Sequence, residues 1–239
     1  MEATNISKSF GGLAAVRNVS LKVFQEETLG IIGPNGAGKT TLFNLISGFI
    51  RPDSGEISLG GRNLVGMRPD QICKLGMVRT FQLVKSFPAL TAIENIMIGS
   101  LSRHRSTSVA RQEAKHWLEF SGISNKKWSM PAKNLTLVDK KRLELARALA
   151  ADAKIILADE AMSGLNPTEV TEVIGFIQNI RQKGITIVLI EHIMKVIMNL
   201  SDRIIMLQNG EKVIEGLPED IMKDKLVVKA YLGEENPFV

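Results

Sequence analysis

Residues 33 to 41 read Gly33-Pro34-Asn35-Gly36-Ala37-Gly38-Lys39-Thr40-Thr41, which satisfies the spacing G-x-x-x-x-G-K-[ST]. Each residue type has a chemical reason to be there. Glycines let a loop turn its backbone N–H groups inward on an anion, a lysine adds positive charge, and a neighbouring hydroxyl suits a hard divalent cation. The pattern predicts a phosphate cradle in which Lys39 reaches the β- and γ-phosphates of a nucleoside triphosphate and Thr40 supports Mg²⁺. A chance match in a Gly-rich turn is the alternative. It is disfavoured because the flanks read as a strand before the loop and a helix after it.

Such a site also needs an acid for the metal and a base for water. Ile155-Ile156-Leu157-Ala158-Asp159-Glu160 is an apolar run ending in two carboxylates. In open α/β sheets ligands bind at the carboxyl ends of strands, which places Asp159 as the metal-supporting acid and Glu160 as the candidate base. Taken alone, the pair would serve equally well as a helix cap. With a complete phosphate loop upstream, the functional reading prevails.

The elements that must position these groups follow from pattern. Ala3 to Ile6, the Gly11-Gly12 turn and the alternation from Val19 to Val23 predict strands and turns. Thr28 to Ile32 is a short buried strand feeding the loop, and Thr40 to Ser47 a helix that stops at Gly48. From about 91 to 149 the spacing of Ile93, Ile96, Met97, Ala114, Trp117, Leu118, Leu143 and Ala146 is helical. Strands then return at 155–158, 186–190 and 203–207, with helices between them. Alternating β and α predicts a parallel sheet with helices on its faces.

Composition narrows the classes. The chain has 239 residues, 44% of them apolar, enough for a sizeable core. The N-terminus lacks a signal-peptide pattern and no apolar run reaches the length of a membrane span, so a cytosolic site of action is expected. The single Cys73 excludes an internal disulfide and a Cys-rich zinc site. Net charge is +5, and residues 101–145 hold ten Lys/Arg against four acids. With few aromatics interleaved, that segment reads as a solvated face rather than a nucleic-acid platform.

Beyond these motifs, the chain resembles the nucleotide-binding subunit of an ATP-binding cassette (ABC) transporter over essentially its whole length. The resemblance implies an α/β P-loop NTPase core with an N-terminal antiparallel β subdomain and a helical insertion. A single domain over 1–239 is expected, with 1–90 and about 150–239 forming the core and about 91–149 the helical subdomain. It further implies that Phe10 stacks on adenine with Val16 nearby. Gln82, in Val78-Arg79-Thr80-Phe81-Gln82, would approach Mg²⁺ and the attacking water, and His192 would contact the γ-phosphate. Gly164-Leu165-Asn166-Pro167 would be the loop that crosses to a second subunit. Without the resemblance, Gln82 and His192 carry no signal. The stretches GMVRTFQ, GLNP, IEH and VVKAYLGEE are similar to ATPases of branched-chain amino acid importers. Lipopolysaccharide-export ATPases share several of them, and a soluble non-transport ATPase is the reading from another class.

One segment departs from the family. Its signature, L-S-G-G-Q or L-S-Y-G-Q, aligns with Leu135-Thr136-Leu137-Val138-Asp139. Val138 replaces a glycine that lets backbone approach phosphate, and Asp139 places a negative charge where a neutral residue stands. Both are expected to oppose closure on ATP held by the opposing subunit, favouring a heterodimer with a second ABC ATPase subunit that has an intact signature. Integral membrane permease subunits and, indirectly, a periplasmic or extracellular solute-binding protein are the implied partners, with no nucleic acid. The implied location is cytoplasmic and peripheral, on the inner face of the cell membrane.

Overall fold

The computed structural model describes residues 1–82, 84–225, 227 and 228. Leu83 and the end of the VVKAYLGEE stretch, from Lys229, lie outside the described residues. In chain order the elements are β1 (Glu2–Phe10), β2 (Leu13–Lys22), β3 (Thr28–Ile32), α1 (Lys39–Ile46), β4 (Ser54–Leu59), β5 (Arg62–Asn63), α2 (Pro69–Lys74), β6 (Met77–Arg79), α3 (Ala92–Leu101) and α4 (Thr107–Phe120). They continue with α5 (Leu137–Ala150), β7 (Ile155–Asp159), α6 (Pro167–Gln182), β8 (Thr186–Ile190), α7 (Met194–Leu200), β9 (Arg203–Gln208), β10 (Glu211–Gly216) and α8 (Pro218–Ile221). Two compact units result: Met1–Pro69 with the described residues from Thr186 onward, and Asp70–Ile185. Residues 91–149, expected as the helical insertion, all fall in the second unit.

In the first unit, β2, β1, β4 and β5 form an antiparallel sheet in that order. Beside it, β3 pairs in parallel with both β8 and β9, and β9 carries antiparallel β10. Every residue of β3 and of β8 is buried, which is why their sequences are apolar runs without alternation. Because Ile31 is in register with Ile190, the two strands end at one edge, and both the phosphate loop and His192 emerge there.

In the second unit β6 and β7 pair in parallel, Met77 opposite Ile155 and Arg79 opposite Leu157. Asp159 at the end of β7, Glu160 just after it and the segment after β6 that bears Gln82 therefore share one edge. Helices α3, α4 and α5 enclose a core that includes Ile93, Ile96, Met97, Leu118 and Leu143. Thr91 caps α3 in a reciprocal box with Glu94, fixing where that helix begins. Asn166 and Glu169 do the same for α6, with Pro167 at its first position.

Candidate nucleotide site

The phosphate loop is shaped by backbone crowding at two glycines. Gly33 has φ 148° and a Cβ there would lie 2.2 Å from the carbonyl oxygen of Leu207; Gly38 has φ 98° and its Cβ would lie 2.3 Å from that of Ala15. No side chain fits at either place. The Gly210 N–H donates to the Ala37 carbonyl at 3.1 Å, tying the loop to the β9–β10 turn. Lys39 Nζ donates to the carbonyls of Gly33 (2.6 Å) and Pro34 (3.0 Å), so the ammonium lies over the loop itself. Asn35, Gly36 and Thr40 are exposed and Pro34 and Thr41 half-buried, while Leu42, Phe43, Leu45 and Ile46 anchor α1 in the core. Phe10 is 46% exposed at the end of β1, whereas Val16 is buried. Lys8 Nζ stands 5.7 Å from the Phe10 ring centroid and is itself held by Asp53 at 2.6 Å. His192 is exposed, two residues past β8.

The second unit holds the acids. Asp159 is buried and its Oδ2 accepts from Arg79 Nη2 at 2.8 Å, an ion pair closed off from solvent on both sides. Glu160, the next residue, has φ 47°, a left-handed conformation uncommon for glutamate. Its Oε2 accepts from Gln82 Nε2 at 2.5 Å. The structure thus brings together the candidate base and the glutamine that nothing but the family resemblance had singled out. Lys141, which the sequence presents as one more residue of a basic segment, is buried, with Nζ donating to the main-chain carbonyls of Gln82 (3.0 Å) and Glu160 (3.3 Å).

The signature segment differs from expectation in one respect. Leu135 is buried and Thr136 caps α5, with Leu137 and Val138 following in its first turn. Leu137 is 39% exposed and a Cβ at Gly164 would lie 3.0 Å from its Cδ2. Asp139, however, does not present a free charge. Its carboxylate is buried, accepts from Lys127 Nζ at 2.6 Å and from the Thr136 hydroxyl at 2.8 Å, and sits where a helix dipole favours an anion. The charge of Asp139 is therefore offset within its own unit by the Lys127 ammonium.

A groove of about 280 Å³ opens in the second unit, lined by Val78, Lys85, Phe87, Ile98, Glu144 and Arg147 among others. Burial pushes the Glu144 carboxyl above the usual range against the opposing pull of Arg147, and burial lowers the Arg147 guanidinium. Arg147 donates to the Lys85 carbonyl at 2.9 Å and its guanidinium stands 5.5 Å from the ring centroid of Phe87, which is 45% exposed. The rim is held by fully buried Asn95. Its Oδ1 accepts from the Phe87 N–H at 2.8 Å, and its Nδ2 lies within 3.2 Å of the carbonyls of Phe87, Leu90 and Thr91.

The ABC transporter family model matches residues 16–163, a span that contains the phosphate loop, Gln82, the α5 cap and both acids. The chain belongs to the ABC transporter family. It is 41% identical over 241 residues to the high-affinity branched-chain amino acid transport ATP-binding protein LivG of Salmonella typhimurium, covering 94% of each chain. It is 38% identical over 251 residues to BraF of Pseudomonas aeruginosa, covering 98% of each. Among solved structures, a nucleotide-free ATP-binding cassette of an ABC transporter superposes with TM-score 0.87 at 29% identity, covering 98% of each chain. Another cassette, in its ADP conformation, gives TM-score 0.86 at 30% identity, also covering 98% of each. The expected fold holds: this is the ABC ATPase type of P-loop core, with an antiparallel N-terminal sheet and a helical region. The chain is an ABC ATPase subunit that binds nucleotide.

Proposed function

We propose that this chain hydrolyses Mg·ATP to drive import of branched-chain amino acids through separate membrane subunits. The observation that carries the reading is a complete phosphate loop on a chain 41% identical, over nearly its whole length, to LivG. In the proposed reaction Lys39 gives up the Gly33 and Pro34 carbonyls for the β- and γ-phosphate oxygens, and the loop amides take the remaining charge. Phe10 stacks on the adenine, with Val16 packing behind it. Glu160 accepts the proton of the attacking water, Gln82 places that water, and His192 donates to the γ-phosphate. By the family resemblance Thr40 and Asp159 would be the hard oxygen donors for Mg²⁺, with Gln82 at its margin, and Asp159 would have to serve it while Arg79 holds its Oδ2. Bound there, the ion neutralises charge on the phosphate oxygens.

No helix among the described residues is long and apolar enough to cross a membrane. The likeness to LivG, a transport ATP-binding protein, supports integral membrane permeases as the proposed partners, which would hold the chain at the inner face. The groove beside Phe87 and Leu90 is the proposed seat for a short helix of a permease. A second, non-identical cassette is the proposed dimer partner, because Val138 repeated in a homodimer would hinder both sites. A solute-binding protein would act through the permeases. No nucleic-acid partner is proposed: Lys127, Arg142 and Arg103 of the basic segment pair with Asp139, Glu172 and Glu113.

The test is to purify the chain with the membrane proteins that accompany it, reconstitute them in liposomes with the matching solute-binding protein, and add leucine, isoleucine or valine. Saturable uptake with stimulated ATP hydrolysis is expected. Stimulation only by an unrelated solute class would overturn the assigned solute, and ATP turnover unchanged in Glu160→Gln would overturn the assigned base.

A further inference from the structure

We propose that Lys141 is a positioning residue for ATP hydrolysis, holding the main chains of Gln82 and Glu160 so that their side chains meet. The inference rests on the roles proposed above for those two residues. Lys141 is 3% exposed, and a buried ammonium persists only where acceptors and counter-charge surround it. Its acceptors are two carbonyls from segments 78 positions apart in sequence, at 3.0 Å on Gln82 and 3.3 Å on Glu160. Glu144, one turn further along α5, stands close enough for the Lys141 ammonium to lower its carboxyl against the larger raising effect of burial.

The geometry of Glu160 shows what such a clamp accomplishes. At φ 47° the backbone is in a region that glutamate holds only when its surroundings over-determine it. The Glu160 carbonyl receives both the Lys141 ammonium and the Ser163 N–H, the latter at 3.1 Å, and the two donors fix the turn. With the Gln82 carbonyl held by the same ammonium, the Gln82 amide donates directly to the Glu160 carboxylate at 2.5 Å. Lysine suits this position because one tetrahedral ammonium can serve acceptors on different segments, and a rate that depends on orientation falls steeply when the supporting contact is lost. Both of its acceptors are main-chain carbonyls outside the phosphate loop, so its effect is expected on turnover rather than on affinity.

The experiment uses the full chain assembled with its membrane subunits and compares parent, Lys141→Met, Lys141→Arg, Glu160→Gln and the Lys141→Met/Glu160→Gln double variant. Equilibrium ATP affinity and the single-turnover hydrolysis rate are measured for each. Lys141→Met is expected to keep ATP affinity within about threefold while losing at least about tenfold in rate, Lys141→Arg to recover most of that loss, and the double variant to be no slower than Glu160→Gln alone. A parental rate in Lys141→Met, or a loss that adds in full to that of Glu160→Gln, would overturn the proposal. Should the Met variant fail to fold, Lys141→Gln keeps a polar group there, and a parental rate in it would be equally decisive against the role. If Glu160→Gln is inactive while Lys141→Met is normal, only the Lys141 role fails; if Glu160→Gln turns over at the parental rate, the assignment of the base fails first.

Discussion

Lys127 Nζ lies 2.6 Å from Asp139 Oδ2, and this pair points the acidic residue of the signature toward its own helix cap. Asp139→Gln should therefore change ATP-driven dimerisation of the isolated chain by no more than about twofold. It should cost roughly 0.5–1 kcal/mol of stability through the lost cap and dipole contacts. Val138→Gly should instead raise dimerisation at least about fivefold, at a helix-propensity cost of up to about 1 kcal/mol. Light scattering at fixed ATP in the Glu160→Gln background separates the two, and the reverse ranking would restore the charge of Asp139 as the obstacle.

Lys39→Ala removes a charge-assisted contact to phosphate worth roughly 1.5–3 kcal/mol. ATP affinity should fall at least about tenfold in an equilibrium titration. An affinity equal to the parent's would mean that the ammonium stays on the Gly33 and Pro34 carbonyls when nucleotide binds.

Arg79 and Asp159 are both closed off from solvent, so deleting one strands the other. Arg79→Met should destabilise the chain by about 3–5 kcal/mol in urea unfolding, and adding Asp159→Asn should recover part of that loss. Additive losses would mean that the pair contributes as two independent residues.

Phe87→Glu with Leu90→Glu should abolish coupled transport while leaving ATP affinity of the chain within about twofold. Phe87 is exposed at the groove and both residues lie outside the phosphate loop. Normal assembly and import by that double variant would remove the groove from the interface.

Burial raises the Glu144 carboxyl above its ordinary value of 4.5, so the folded chain binds that proton more readily than the unfolded chain does. Stability referable to Glu144 must then grow as pH falls from above the raised value toward the ordinary one, and shrink as pH rises. Midpoints of thermal unfolding between about pH 5 and about pH 8 should show the parent gaining on Glu144→Gln as pH is lowered. Parallel pH profiles would contradict this.

What could be read before the fold was known divides along a physical line. The phosphate loop, β7 with its two acids and the apolar spacing of α3 to α5 are dictated by local pattern, and each stands where that pattern put it. β6 has only three residues, Met77–Arg79, too few for periodicity to register, and its role depends on pairing with β7. Arg79 and Asp159 are 80 positions apart, and no local rule joins them. Lys141 was lost among ten basic residues because only its burial distinguishes it. Asp139 was misread because a neighbour twelve positions earlier decides where its charge goes. Local patterns announce elements and ligand loops; the electrostatic partners that tune them come from tertiary closure.

Asn95 gives the groove a mechanical property. By taking the Phe87 N–H and reaching the carbonyls of Phe87, Leu90 and Thr91, one buried amide welds the lip of the groove to the first turn of α3, and α3 is packed into the core shared with α4 and α5. A push at Phe87 would therefore meet α3 and the core it shares with α4 and α5, and α5 is the helix that Thr136 caps.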